Sequence, residues 1–199
     1  MKRIITINRE YGSGGYDIGK KLAERIGYEF YDKKIIKHVA EETGFDPKFV
    51  EANSEHTPAS GFQVLLFQQR KDTFMDGMST REFLLSKQRE VIRRFAEEGP
   101  SVFIGRCADY ALRNRTDVFN VFITAPAEFR LNRIATEASY GVSDRTPEER
   151  LKDKDKRRAE NYRDRTGKIW GDCRNYHLCL DSSVFGIDRC VEIIEELIR

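Results

Sequence analysis

No stretch of this sequence stays apolar for the roughly 20 residues that a membrane span needs. The first apolar run, Ile4 to Ile7, ends at Asn8, too soon for a signal-peptide core. Cysteine is scarce as well. Cys107, Cys173, Cys179 and Cys190 form no C-x-x-C pair, and His38, His56 and His177 fall at no ligand spacing. That argues against a zinc site, so no metal ligand is assigned, and the thiols read as the reduced cysteines of a cytoplasmic protein. An excess of one charge is also missing: 35 Lys and Arg against 33 Asp and Glu leave a net charge of +2. Neither a nucleic acid nor a membrane surface is therefore an expected partner. Internal repeats and low-complexity tails are absent.

What the chain has is a composition 39% hydrophobic and 34% charged, enough for one core under a heavily charged surface. Ile4–Ile7 reads as a buried strand. Ile18, Leu22 and Ile26 then recur at helical spacing, and Gly27 ends that helix. Tyr28–Tyr31 is a second strand, closed by Asp32, and Lys33–Glu42 a helix with Ile35, Ile36, Val39 and Ala40 inward. Residues 43 to about 79 contain Asp46-Pro47, Thr57-Pro58 and a Phe/Gln-rich piece from Phe62 to Gln69; they read as a mobile insertion. Thr80–Glu98 follows as a long helix, with Thr80 its expected cap and Gly99-Pro100 its stop. Ser101–Ile104 and Val118–Ile123 are further strands, the first apolar without alternation and so buried on both faces. Ala127–Ala138 is a helix, and residues 145–168, with ten Lys/Arg and six Asp/Glu, a charged helix and loop. Leu178–Leu180 is a last strand and Ile187–Ile198 a closing helix. This alternation predicts an α/β fold: a largely parallel sheet between two helical layers, with ligands at the carboxyl ends of its strands.

Between the first strand and the first helix lies Arg9-Glu10-Tyr11-Gly12-Ser13-Gly14-Gly15-Tyr16-Asp17, where a phosphate-binding loop belongs. Glycines let successive backbone N–H groups turn inward around an anion, and the helix N-terminus adds partial positive charge. The usual pattern is G-x-x-x-x-G-K-[ST]. Aligned through the helix, Arg9 stands at the first glycine, Gly14 at the second, Gly15 at the lysine and Tyr16 at the Ser or Thr. The lysine normally reaches the β- and γ-phosphates. Its replacement has to come from Arg9, Lys20 or Lys21, the last two a turn or more into the helix. The hydroxyl usually offered to Mg²⁺ is displaced too, leaving Ser13, Tyr16 or Asp17 to substitute in altered geometry.

This loop, together with four later segments, resembles the cytidylate kinase-like family. The segments are Phe30-Tyr31-Asp32; Val102-Phe103-Ile104-Gly105-Arg106-Cys107-Ala108-Asp109-Tyr110; Ala125-Pro126-Ala127-Glu128-Phe129-Arg130; and Thr166-Gly167-Lys168-Ile169-Trp170-Gly171-Asp172 with Asn175-Tyr176 beyond. The resemblance spans nearly the whole chain and is weakest over 45–79. It implies a single three-layer P-loop kinase domain over 1–199, with a helical, monophosphate-binding insertion at about 38–90 and a lid at about 140–170. It also implies ATP and Mg²⁺ as cofactors and phosphoryl transfer to a small acceptor, most simply a nucleoside monophosphate such as CMP or dCMP. The family's own loop likewise reads Gly-Ser-Gly-Gly without the lysine.

Phosphoryl transfer needs positioning and charge neutralisation rather than a covalent nucleophile. By the resemblance, Arg106 is the acceptor-phosphate ligand, with Asp109 its shifted acidic partner; a structural ion pair is the other reading. Asp32 binds substrate polar groups or a Mg²⁺-bound water, or simply caps the helix from Lys33. Arg130 and Arg133 contact the acceptor phosphate or the lid backbone. Arg158, then Arg157 and Arg163, are the catalytic lid arginines; the alternative is a solvated face on which Asp153 and Arg157 pair at i,i+4. Trp170 anchors the lid or stacks on a base, and Asp181-Ser182-Ser183 line the adenine side or form a turn. The competing function is a nucleotide- or anion-binding module without turnover, which Gly15 favours and the lid arginines oppose.

Overall fold

The structure, a computed structural model, describes residues 3–55 and 78–199. At its centre is an all-parallel five-stranded sheet in the order β2-β3-β1-β4-β5. The strands are β1 Ile4–Arg9, β2 Glu29–Tyr31, β3 Ser101–Ile104, β4 Val118–Thr124 and β5 Leu178–Asp181. The helices among the described residues are α1 Gly15–Ile26, α2 Lys33–Thr43, α3 Pro47–Glu55, α4 Thr80–Glu98, α5 Ala108–Ala111, α6 Ala127–Thr136, α7 Pro147–Thr166 and α8 Ser182–Ile198. None of them is long and apolar enough to cross a membrane.

Side-chain alternation along the strands splits the core in two. Ile5, Ile7, Val102, Ile104, Val121 and Ile123 pack against Ile18 and Leu22 of α1 and Val191 and Ile194 of α8. On the other face Ile4 and Phe103 meet Ile35, Val39, Val50, Leu84, Val91 and Phe95 from α2, α3 and α4. The expected three layers are there. β1 lies in the middle because its isoleucines are buried on both faces: Ile4, Ile5 and Ile7 have no exposed surface. It pairs with β3 from Ile4↔Ser101 to Ile7↔Ile104 and with β4 from Ile4↔Val118 to Arg9↔Ile123.

Several boundaries differ from the sequence reading. The cap of α4 is Ser79, not Thr80, because Ser79 holds the extended backbone that a cap needs (φ −67°, ψ 153°). Its hydroxyl accepts the Glu82 N–H at 3.2 Å while Glu82 accepts the Ser79 N–H at 2.9 Å, a reciprocal capping box. α6 stops at Thr136, since Glu137 is extended (φ −91°, ψ 124°), and a 3₁₀ turn Ala138–Tyr140 follows. α3 was not foreseen. Pro47 opens it, Asp46 accepts the Lys48 N–H at 2.8 Å, and the Phe45 and Phe49 rings stack at 5.3 Å. α8 begins at Ser182 and breaks at Gly186 (φ 71°, ψ 168°) before the predicted Ile187 start. The expected mobile insertion falls largely on residues 56–77, outside the described ones, as do Thr57-Pro58 and Phe62–Gln69.

Candidate functional site at the glycine loop

Three chain turns meet at the carboxyl end of the sheet. The loop Glu10–Gly14 follows β1, the turn Gly105-Arg106-Cys107 follows β3, and the Ala125-Pro126 bend follows β4. Since β1 lies between β3 and β4, these turns wall one crevice at the point where the strand order reverses.

In the loop, Gly12 and Gly14 have φ of 86° and 77°, a conformation open at low cost only to glycine. Packing excludes side chains as well: a Cβ on Gly12 would lie 2.8 Å from the Arg130 carbonyl oxygen, and one on Gly14 would overlap the Arg133 guanidinium. Gly14 caps α1 with no side chain, which leaves the first N–H groups of that helix turned toward the crevice. The loop is pinned from behind. Glu10 accepts from Thr124 Oγ1 at 2.5 Å and from the Ala125 N–H at 3.1 Å. The buried Ser13 hydroxyl donates to Glu10 O at 2.8 Å, and Ser182 Oγ donates to Ser13 O at 2.6 Å.

At Gly15 the missing lysine has a steric cause. A Cβ there would sit 2.5 Å from Arg9 Cβ and 2.9 Å from Arg9 Cγ. The Arg9 side chain fills that path and crosses to the facing wall, where its guanidinium lies against Gly105, in the space a Cβ there would take. Lys20 and Lys21 stay on the surface of α1, against Glu24 at 4.0 Å and Asp188 at 2.7 Å. Tyr16 is 45% exposed and stands edge-on to Phe30, and Asp17 accepts from Arg133 Nη2 at 3.0 Å.

The β3 turn is strained. Gly105, Arg106 and Cys107 have successive φ of 63°, 59° and 53°, and the left-handed region costs a non-glycine residue about 1–2 kcal/mol. Such strain persists where the surroundings impose it and clusters at functional sites. Here Gln88, buried on α4, donates to Arg106 O at 3.0 Å, and the Gly105 N–H donates to Ile7 O at 2.9 Å. The Arg106 side chain is only 2% exposed and lies between Asp32 at 3.5 Å and Glu51 of α3 at 3.8 Å. Asp32 is at the N-cap position of α2 but makes no side-chain cap bond. Asp109 is buried and accepts from the Tyr162 hydroxyl at 2.7 Å. Burial pushes its carboxyl above the usual range, although Tyr162 and Asn8 oppose the shift.

The α7 helix closes over the crevice. Arg158 Nη1 donates to Arg9 O at 3.1 Å, and its guanidinium stands 5.6 Å from the Tyr11 ring centre. Asp155 accepts the Tyr11 N–H at 2.7 Å and pairs with Arg130. Burial raises the Asp155 carboxyl above its ordinary value. Arg130 also donates to Ala125 O at 2.8 Å, so it ties α7, loop and β4 bend together. Arg133 is held by Glu137 and Asp17; its Nη1, buried against Gly14, makes no hydrogen bond among the described residues. Trp170 meets Phe122 of β4 edge-on at 5.4 Å, which fixes the segment after α7 to the sheet. Asn8, Arg9, Gly105, Arg106, Arg158 and Trp170 are among the walls of a cavity of about 20 Å³, room for about one water. Among the described residues that space is too small for an organic ligand.

The crevice thus gathers Arg9, Arg106 and Arg158 around one space and sets Arg133 and Asp17 on the loop side. Arg157 is turned away to Asp153 at 2.8 Å, the i,i+4 pair anticipated from the sequence, and Arg163 is exposed near the end of α7. Glu10, Gln88 and Asp155 escaped the sequence reading, because a lone Glu, Gln or Asp in a charged chain carries no signal until its partner is known. Asp181 caps α8 through the Ser183 N–H at 2.9 Å, while Ser182 braces the loop.

The model of the cytidylate kinase-like family matches residues 4–184. The chain belongs to that family. No curated protein matches it significantly in sequence. Among solved structures, this cytidylate kinase-like chain is similar to an uncharacterized protein from Eubacterium ventriosum, at 25% identity, TM-score 0.71, and coverage of 98% of this chain and 97% of that one. It is also similar to the shikimate kinase from Acinetobacter baumannii solved with shikimate, at 17% identity, TM-score 0.52 and coverage of 98% and 92%. A gluconokinase from Sinorhizobium meliloti gives 14% identity, TM-score 0.51 and coverage of 99% and 94%. The fold is the α/β fold of P-loop kinases.

Proposed function

We propose that this protein transfers the γ-phosphoryl group of ATP to a small acceptor, most simply a nucleoside monophosphate such as CMP or dCMP. The observation that carries this reading is the convergence of Arg9, Arg106 and Arg158 on one cavity beside the glycine loop. Phosphoryl transfer is accelerated by fixed positive charge around a phosphoryl group in flight, and a closed site strengthens that charge by excluding water. In this reading the loop, the N-terminus of α1 and Arg133 take the donor phosphates. Arg106, oriented by Asp32 and Glu51, takes the acceptor phosphate. Arg158 comes down with α7, the lid helix within 140–170. Glu51, within the 38–90 insertion, carries the acceptor side.

Mg²⁺ bound with the nucleotide would supply charge neutralisation for the transferring phosphoryl group. Among the described residues no three His, Cys, Asp or Glu side chains gather as a cage for an ion. Ser13 is tied to the loop backbone and Tyr16 to Phe30. These residues fit an ion carried on the nucleotide with its own waters, as Mg²⁺ commonly is, with Asp32 the carboxylate at the carboxyl end of β2.

The test is ATP consumption by the purified protein with Mg²⁺ against a panel of nucleoside monophosphates and small hydroxyl acceptors. ADP formation that depends on CMP or dCMP is expected. Nucleotide binding without turnover on any acceptor would make the protein a binding module that keeps the kinase fold.

A further inference from the structure

We infer that the phosphate loop of this protein carries its cation at the opposite end from the usual one: Arg9, the last residue of β1, does the work of the absent lysine, and Gly15 is glycine because the Arg9 side chain fills the lysine's path. This deepens the phosphotransferase reading and rests on it for the chemistry, though not for nucleotide binding. The two positions are complementary. The usual loop has glycine at the first position and lysine six residues later; here the first holds Arg9 and the other Gly15. The structure explains why both changed together. A side chain at Gly15 would collide with Arg9 Cβ and Cγ at 2.5 and 2.9 Å, so the loop has room for one long side chain and not two. The other lysines near the loop do not compete, since Lys20 and Lys21 face Glu24 and Asp188 on the surface.

The change also moves the charge. A lysine from α1 approaches the phosphates from the helix side. Arg9 approaches from the strand: its guanidinium lies against Gly105, and Arg9, Arg106 and Arg158 line one cavity, with Arg158 hydrogen-bonded to the Arg9 carbonyl. A planar fork in that place spans oxygens of two phosphates, which a point charge does less well. It would bridge donor and acceptor during transfer. The bond from γ-phosphorus to the β–γ bridging oxygen breaks, and its electron pair leaves on ADP. An acceptor oxygen lone pair forms the new bond, and an ionised phosphate acceptor releases no proton.

The experiment is a reciprocal swap, read by ATP affinity from calorimetry and by kcat with the best acceptor, with thermal unfolding as a control. Arg9→Met keeps the packing against Gly15 and removes the charge; it should weaken ATP binding about ten- to a hundredfold, the usual effect of losing a charge-assisted contact. Gly15→Lys alone should also lose binding, because its stem meets Arg9. The double variant Arg9→Gly/Gly15→Lys restores the ordinary order and should bind ATP at least about tenfold better than Arg9→Gly alone. An Arg9→Met protein that folds and binds ATP like the wild type overturns the inference, as does a folded double variant no better than Arg9→Gly. If the wild type binds ATP but transfers to no acceptor, only the phosphotransferase reading fails, and the binding arms still decide the role of Arg9.

Discussion

Replacing Gly15 with alanine is the smallest change that tests the packing of the loop. The backbone at Gly15 is helical, so the added methyl brings no conformational strain of its own. What it meets is Arg9 Cβ at 2.5 Å, Arg9 Cγ at 2.9 Å and Ile123 Cβ at 3.3 Å. Two of these are well inside van der Waals contact, and neither wall gives easily, because Arg9 Cβ is fixed to β1 and Ile123 lies in the core of β4. Overpacking of this size costs about 1–3 kcal/mol. At this chain length each kcal/mol lowers the melting temperature by about 2–4 °C. Gly15→Ala should therefore melt several degrees below the wild type by calorimetry or circular dichroism. Arg9→Gly/Gly15→Ala removes the obstructing stem. Its loss should be smaller than the sum of the two single losses by about 1 kcal/mol or more, a coupling expected only of side chains in contact. A Gly15→Ala protein that melts with the wild type, or single losses that simply add, would refute the steric account.

Arg106→Ala should raise the acceptor KM about 10- to 150-fold, corresponding to about 1.5–3 kcal/mol for a hydrogen bond to a charged group, and leave ATP binding unchanged; steady-state kinetics with each substrate varied checks this. Arg158→Ala should lower kcat about 10²- to 10³-fold while ATP affinity stays within a fewfold, as for removal of a group that acts on the transition state. Asp109→Asn should flatten a pH dependence. With its carboxyl raised by burial, folded Asp109 keeps its proton where the unfolded chain has lost it. Its contribution therefore favours folding at low pH and fades as pH rises from about the ordinary 3.8 through the raised value. Urea midpoints for the wild type minus those for Asp109→Asn should fall across that window, and a constant difference would contradict the assignment.

The sequence by itself determined the layers and the place of the glycine loop between the first strand and the first helix. Ile4, Ile5 and Ile7 make a strand that is buried wherever the chain puts it, and the period of Ile18, Leu22 and Ile26 makes a helix after it. The glycines between them must form a tight turn with N–H groups at a helix start. These are local consequences of backbone freedom and side-chain spacing, so they can be read from neighbours in the chain. Tertiary structure decided which cation lies beside the loop, because Arg9, Lys20 and Lys21 are equivalent as letters and differ only in where their side chains point. It decided that Ser182 holds Ser13 and that Gln88 holds the strained turn at Arg106, since these partners lie 169 and 18 residues apart in sequence and meet only once the sheet order is set. It also split two arginines of α7: Arg158 and Arg157 are adjacent letters on one helix. The roughly 100° between successive side chains sends one to the Arg9 carbonyl and the other to Asp153.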